Sequence, residues 1–123
     1  LRLLSERTER MKHIYALYRE ALNGISGFSI FDIDISGGGV PQWTDTIVER
    51  RDELDAYLKE DNIDCRRYWL PIHRQHAYPL PDDHFPNSTK LLPQALWLPS
   101  AFTLSDKDVL SVAERIKEFF SKY

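Results

Sequence analysis

Trp43-Thr44-Asp45-Thr46-Ile47-Val48-Glu49-Arg50-Arg51-Asp52-Glu53-Leu54-Asp55-Ala56-Tyr57-Leu58-Lys59-Glu60 changes its period halfway along. Its first six residues alternate, with Trp43, Asp45 and Ile47 opposite Thr44, Thr46 and Val48, which is the two-residue repeat of a strand. From Arg51 the apolar positions Leu54, Tyr57 and Leu58 recur at three- and four-residue spacing, the repeat of a helix with one buried side. A strand running almost directly into a helix is the signature of an α/β chain. Asp61-Asn62 ends that helix, and Asn is the non-Gly residue best suited to the left-handed turn expected at 62.

The same reading extends outward. Residues 5–22 place Met11, Ile14, Tyr15, Tyr18 and Leu22 at helical spacing, and Asn23-Gly24 stops that helix. Residues 28–35 alternate as a strand, with Phe31, Ile33 and Ile35 on one face. Gly37-Gly38-Gly39 invites a phosphate-cradle reading, but no GK[ST] follows and the next element is a strand, so the run reads as a mobile connection. Residues 63–70 read as a third strand. Residues 71–86 hold Pro71, Pro79, Pro81 and Pro86 and cannot stay regular for long. A short helix over 87–92 is cut by Pro93, and 96–98 is a brief extended piece. Ser105-Asp106-Lys107-Asp108 fits a helix capping box, and Val109, Val112, Ala113, Ile116, Phe119 and Phe120 continue it as an apolar stripe. The order predicts an α/β (α+β) two-layer sandwich, a small three- to four-stranded mixed sheet with helices packed on one face.

Composition narrows the function. The 123 residues make one domain, 42% apolar and 28% charged. Sixteen Lys+Arg against nineteen Asp+Glu, a net charge of −3, exclude a globally basic nucleic-acid binder. No stretch reaches the roughly 18–20 apolar residues of a membrane span, so no membrane partner is expected. Cys65 is the single cysteine, which points to a reducing compartment, the cytoplasm. The chain opens Leu1-Arg2-Leu3-Leu4 on a helical pattern, which reads as a piece of something longer or a processed chain.

Chemistry-bearing side chains crowd into residues 65–78. A metal site would draw on His73, His76, Cys65, Asp82, Asp83 and His84, but i,i+3 histidines in a proline-bounded loop carry no fixed geometry. Cys65 beside Arg66 and Arg67 has the charge of a reactive thiolate, yet a small buried thiol is the commoner use of such a position. Arg66, Arg67 and Arg74 with Tyr68, Trp69 and Tyr78 would suit single-stranded nucleic acid, against the whole-chain charge. A phosphorylated sugar fits the residue types better. Arg takes phosphate oxygens, Gln and His take hydroxyls, and aromatic faces pack on sugar rings. The alternative is that the aromatics are core or near-core and the histidines solvated.

R-x-x-R-M-K-H-I-Y-A-L-Y-R-E-A-L from Arg7, W-T-D-T-I-V-E-R-R-D-E-L from Trp43, Y-W-L-P-I-H-R-Q-H-A-Y from Tyr68, F-P-N-S from Phe85, and L-W-L-P-S from Leu96 followed by L-S-D-K-D-V occur in that order. The set resembles the C-terminal small domain of DegT/DnrJ/StrS-type sugar aminotransferases, pyridoxal-phosphate (PLP) enzymes of fold type I. It looks most like the branch acting on nucleotide-linked 4-keto-6-deoxy sugars, as perosamine synthases do. Asn62 where Gly is usual, Pro93 within a usual helix, and the Gly37-Gly38-Gly39 insertion depart from the pattern.

The resemblance implies amino transfer to a nucleotide sugar in the full-length enzyme, carried out on PLP that a lysine of a separate large domain holds. None of Lys12, Lys59, Lys90, Lys107, Lys117 and Lys122 stands in the family's Schiff-base motif. The chain alone is therefore expected to bind no cofactor and to be inactive. The implied partners are the large PLP-binding domain or subunit, the nucleotide sugar and a second copy in a homodimer. Carried over by position, His73 and Gln75 would hydrogen-bond substrate near the cofactor cleft and Arg66 would recognise charge. Tyr68 and Tyr78 complete the substrate-binding set, with Arg74 the weaker bet. The alternative is a stand-alone sugar-nucleotide-binding or dimerisation module that has lost the chemistry.

Overall fold

The computed structural model describes residues 2–122. Helix α1 (Leu4–Ala21) leads into β1 (Phe28–Ile30), β2 (Thr44–Val48), α2 (Arg51–Glu60) and β3 (Arg66–Arg67). Then come α3 (Pro86–Leu91), β4 (Ala95–Leu98) and α4 (Asp106–Lys122), with short 3-10 turns at Ile72–Arg74, Asp82–His84 and Leu92–Gln94. The strands form one sheet in the order β1-β2-β4-β3.

All three pairings are antiparallel, which corrects the expectation of a mixed sheet. The strand–helix–strand run β2-α2-β3 does bring β2 and β3 back pointing the same way. They never pair, because β4 inserts between them and runs against both.

Thr44, Thr46 and Val48 turn toward α1, α2 and α4, and all three are buried. Thr46 hides its hydroxyl by donating it to the Leu96 carbonyl at 2.8 Å. Around them Ile14, Tyr18, Leu54, Leu58, Leu96, Val109 and Ile116 form a fully enclosed core. Tyr18 reaches out of it only to donate to the Pro99 carbonyl at 2.7 Å.

The α4 capping box forms as its sequence predicts. Ser105 Oγ accepts from the Asp108 backbone at 3.2 Å, and Asp108 accepts from the Ser105 backbone at 3.0 Å. Asp106, the first residue of α4, takes Arg10 and, at 2.9 Å, His13 Nε2 of α1. His13 first and then Arg10 hold the Asp106 carboxyl below the usual carboxylate range. Asn62 adopts a φ of 59°, turning the chain out of α2 as expected.

Two expected strands are shorter than their patterns. β1 stops at Ile30 because α1 captures the chain beyond it. The Tyr15 hydroxyl donates to the Phe31 carbonyl at 2.8 Å and accepts from the Ile33 amide at 3.0 Å. β3 is reduced to Arg66 and Arg67, after which Tyr68 turns to reach Asp45. The glycine run forms a closed turn on Asp34, whose carboxylate accepts from the Gly37 amide at 2.7 Å and the Ser36 hydroxyl at 2.8 Å. A Cβ at Gly37 would stand 2.1 Å from that carboxylate.

Candidate functional site

The sheet's two sides differ in kind. Asp45, Trp97 and Arg66 occupy one cross-strand row on the side away from α1, α2 and α4. Trp43 stacks on Trp97 with centroids 4.5 Å apart, and Trp69 meets both rings edge-on at 5.9 and 4.9 Å. Tyr68, 4.8 Å from Trp97, donates its hydroxyl to Asp45. Burial first, and then that carboxylate, push the Tyr68 phenol above its ordinary value, so it stays a protonated donor.

Two cavities open on this side and its edge. One of about 310 Å³ lies between the sheet and α3, walled by Phe31, Ile47, Tyr68, Trp69, Leu91 and Ala95, with Asn87 and Ser88 at its lip. The other, of about 420 Å³, is bordered by Gln42, Trp43, Asp64, Arg66, Trp97 and Ser100. Among the described residues the Arg66 guanidinium has no ion-pair partner.

Residues 71–91 form a strap beside this face, folded around one carboxylate. Asp82 accepts from Arg74 Nε at 2.8 Å and from a second Arg74 nitrogen. His73 Nε2 lies 3.2 Å from the same carboxylate. An ionised carboxylate can only accept, so that nitrogen carries the proton. Arg74 first, with His73, holds the Asp82 carboxyl below the usual range. The His73 ring stacks on Phe85 at 4.5 Å, and its backbone carbonyl accepts from Leu80 at 2.9 Å.

The five residues singled out from sequence therefore separate. Arg66 borders the larger cavity and Tyr68 the smaller one. Gln75 and Tyr78 stand exposed on the strap, with the Gln75 amide donating to the Leu70 carbonyl at 2.9 Å. His73 is only 5% exposed, so it does not share an open surface with Gln75. Its stacking and its carboxylate partner make it a pin of the strap. Sequence reasoning missed Asp82 as the organising group and Asp45 as the partner of Tyr68. Arg74 and Asp82 are eight residues apart across two prolines, a spacing that advertises no contact.

Several alternatives lose their geometry. Arg67 turns to the helix side, where Asp55 and Asp52 take it at 3.2 Å each, and Arg74 is spent on Asp82, so the three arginines do not form one phosphate track. Among the described residues no three His, Cys, Asp or Glu groups stand close enough to share a metal. Cys65 is buried, and desolvation above all pushes its thiol up to about 12, the opposite of an activated nucleophile. Among the described residues no helix is long and apolar enough to cross a membrane. The lysines are solvated or ion-paired. Lys12, Lys59 and Lys117 reach Glu9, Asp55 and Glu114 at 3.0, 3.1 and 2.8 Å, and Lys90 and Lys107 are exposed. None offers the desolvated, neutral amine that holds an aldehyde cofactor.

Comparison with known proteins supplies the context. The chain is similar over its whole length to a solved structure of S. venezuelae DesV in complex with a ketimine intermediate, at 25% identity and a TM-score of 0.87. It is similar in fold, at 23% identity and a TM-score of 0.84 over 99% of its length, to DesI solved with its TDP-sugar product. It spans 34% and 33% of those two chains. A Geobacillus stearothermophilus "pleiotropic regulatory protein" is 33% identical over 78 residues, which are 60% of this chain and 21% of that protein. The family model for the DegT/DnrJ/EryC1/StrS aminotransferases matches residues 1–117, and the chain belongs to that family.

Proposed function

We propose that this chain is the substrate-side, C-terminal part of a PLP-dependent nucleotide-sugar aminotransferase, and that it transfers no amino group by itself. The observation that carries the reading is a family match over residues 1–117 in a chain that spans about a third of the solved aminotransferases it resembles. That DesI was solved with a TDP-sugar product favours a nucleotide-linked sugar as the class of substrate. PLP would supply the amino-transfer chemistry when bound to the larger remainder. The lysines here do not fit it, so no residue of this chain is assigned to holding it.

In this reading the chain's own groups bind and orient. Arg66, exposed and without an ion-pair partner among the described residues, takes anionic phosphate oxygens. Gln75 and Tyr78 offer an amide and a phenol to sugar hydroxyls from the exposed side of the strap. Tyr68, locked on Asp45, presents an aromatic wall. His73 acts through the shape of the strap that it pins. The working assembly is a homodimer with the cofactor-binding portion present, in the cytoplasm.

Titration calorimetry of the 123-residue chain with a nucleotide-linked 4-keto-6-deoxy sugar tests this directly. Heat of binding that falls severalfold in Arg66→Ala and Gln75→Ala is the expected result. Binding unchanged by either substitution removes their assignment. A PLP absorbance band that stays with the chain through gel filtration, with amino transfer, would show that the chain is an enzyme unaided.

A further inference from the structure

We infer that Asp55 locks the register of β3, so that Arg66 and not Arg67 presents its guanidinium to the 420 Å³ cavity. The inference rests on the reading of Arg66 as the group that takes phosphate oxygens, and adds the residue that aims it. β3 is an edge strand of two residues, Arg66 opposite Trp97 and Arg67 opposite Leu96. Successive strand residues point to opposite faces, and a slip of one position exchanges them. The two paired side chains are the same, so by themselves they fit either register. A group outside the strand has to choose.

Asp55 is placed to do so. Its side chain on α2 is only 2% exposed, and Oδ2 accepts from Arg67 Nε at 3.2 Å and from Lys59 Nζ at 3.1 Å. Oδ1 is buried with no hydrogen-bond partner among the described residues. A buried carboxylate satisfied on one oxygen is a poor source of stability, because its desolvation offsets what its ion pairs return. Fixing register is the better attested use of such a group. The network continues beyond it. Arg67 also meets Asp52 at 3.2 Å, Asp52 takes Arg51 at 2.9 Å, and Arg51 donates to the Leu92 carbonyl at 2.9 Å, ahead of β4. Arg67 is thereby tied to α2, and Arg66 faces the other way without an ion-pair partner among the described residues.

Cys65 and Tyr68 flank the pair and agree with this register, Cys65 within the core and Tyr68 bonded to Asp45 on the far side. Both lie outside the paired residues, and Arg67 is the one member of the pair that a side chain holds. Asp55 is therefore a positioning residue, acting on substrate through Arg66.

Nuclear magnetic resonance of the 123-residue chain tests the lock through cross-strand backbone proton contacts. The chain is expected to show Arg66 against Trp97 and Arg67 against Leu96. In Asp55→Leu these contacts are expected to disappear or to split into two sets of signals, with the β1–β2 contacts kept. Should Asp55→Leu fail to fold, Arg67→Ser cuts the same tie at a half-exposed position. Unchanged β3–β4 contacts overturn the inference, and so does a loss of contacts across the whole sheet, since Asp55 would then only support the fold. Calorimetry with pyrophosphate as the probe supplies the functional readout. Arg66→Ala is expected to weaken binding severalfold in the chain and less than twofold in Asp55→Leu, where Arg67 is free to take the outward place. An equal loss in both backgrounds overturns the positioning role. If Arg66→Ala binds as the chain does, the phosphate reading of Arg66 fails, and the β3–β4 contacts still judge the lock.

Discussion

The helix side of the sheet and its far side are held together by different means. On the helix side, aliphatic residues from three helices interlock with β2 and β4, and what polar groups enter are consumed locally, as Thr46 is by the Leu96 carbonyl. The far side relies on aromatic rings and on a few polar fasteners, Tyr68 to Asp45 and the Asp82 knot. The first arrangement closes on itself. The second fixes positions while leaving Trp69 and Ile72 largely exposed.

The comparison breaks most visibly at Ile116, which is fully enclosed between α4 and the sheet. Ile116→Ala is expected to destabilise the chain by about 2–5 kcal/mol through lost burial and the cavity left behind. Chemical denaturation would show it, and a loss below 1 kcal/mol would mean that the helix side is not the stabilising one. A smaller effect belongs to Tyr15→Phe. Removing the hydroxyl frees the Phe31 carbonyl and the Ile33 amide, at about 1–3 kcal/mol if both stay partly buried. Its signature is faster hydrogen exchange at Ile33, with α2 and β4 unchanged.

The smallest expected change in global stability is Asp82→Asn, which loosens the strap and leaves the core alone. Its readout is local: faster exchange at Leu80 and Gln75 with the same unfolding midpoint. The pH dependence has a definite sign. Because Arg74 depresses the Asp82 carboxyl in the folded chain, the knot is complete above the ordinary carboxylate value. It is lost as pH falls through the lower, folded value. Strap exchange that is flat across that acid range would remove Asp82 as the fastener.

Much of this was legible in the residues, for identifiable reasons. The α2 boundaries, the Asn62 turn and the α4 cap follow from rules in which a residue's neighbours within four positions decide its conformation. β1 was overestimated because its end is set from α1, by a hydroxyl eighteen residues before Ile33, and no local pattern carries that. The mixed sheet was misjudged because the place of β4 between β2 and β3 is a matter of long-range order. At the site, the residue types were readable and their directions were not. Adjacent arginines at 66 and 67 point to opposite sides of the sheet, and only strand register decides which guanidinium stays free. His73 reads from composition as a substrate donor, yet a proline-bounded loop has no period to say that it points inward.

The clustering of Trp43, Trp69 and Trp97 has a practical consequence. They are the only tryptophans in the chain, and all lie in one group on the far side. Native indole emission therefore reports on a single face of the molecule. An optical titration would register an arriving partner or nucleotide there with no label attached, and would be nearly blind to events among the outer helices.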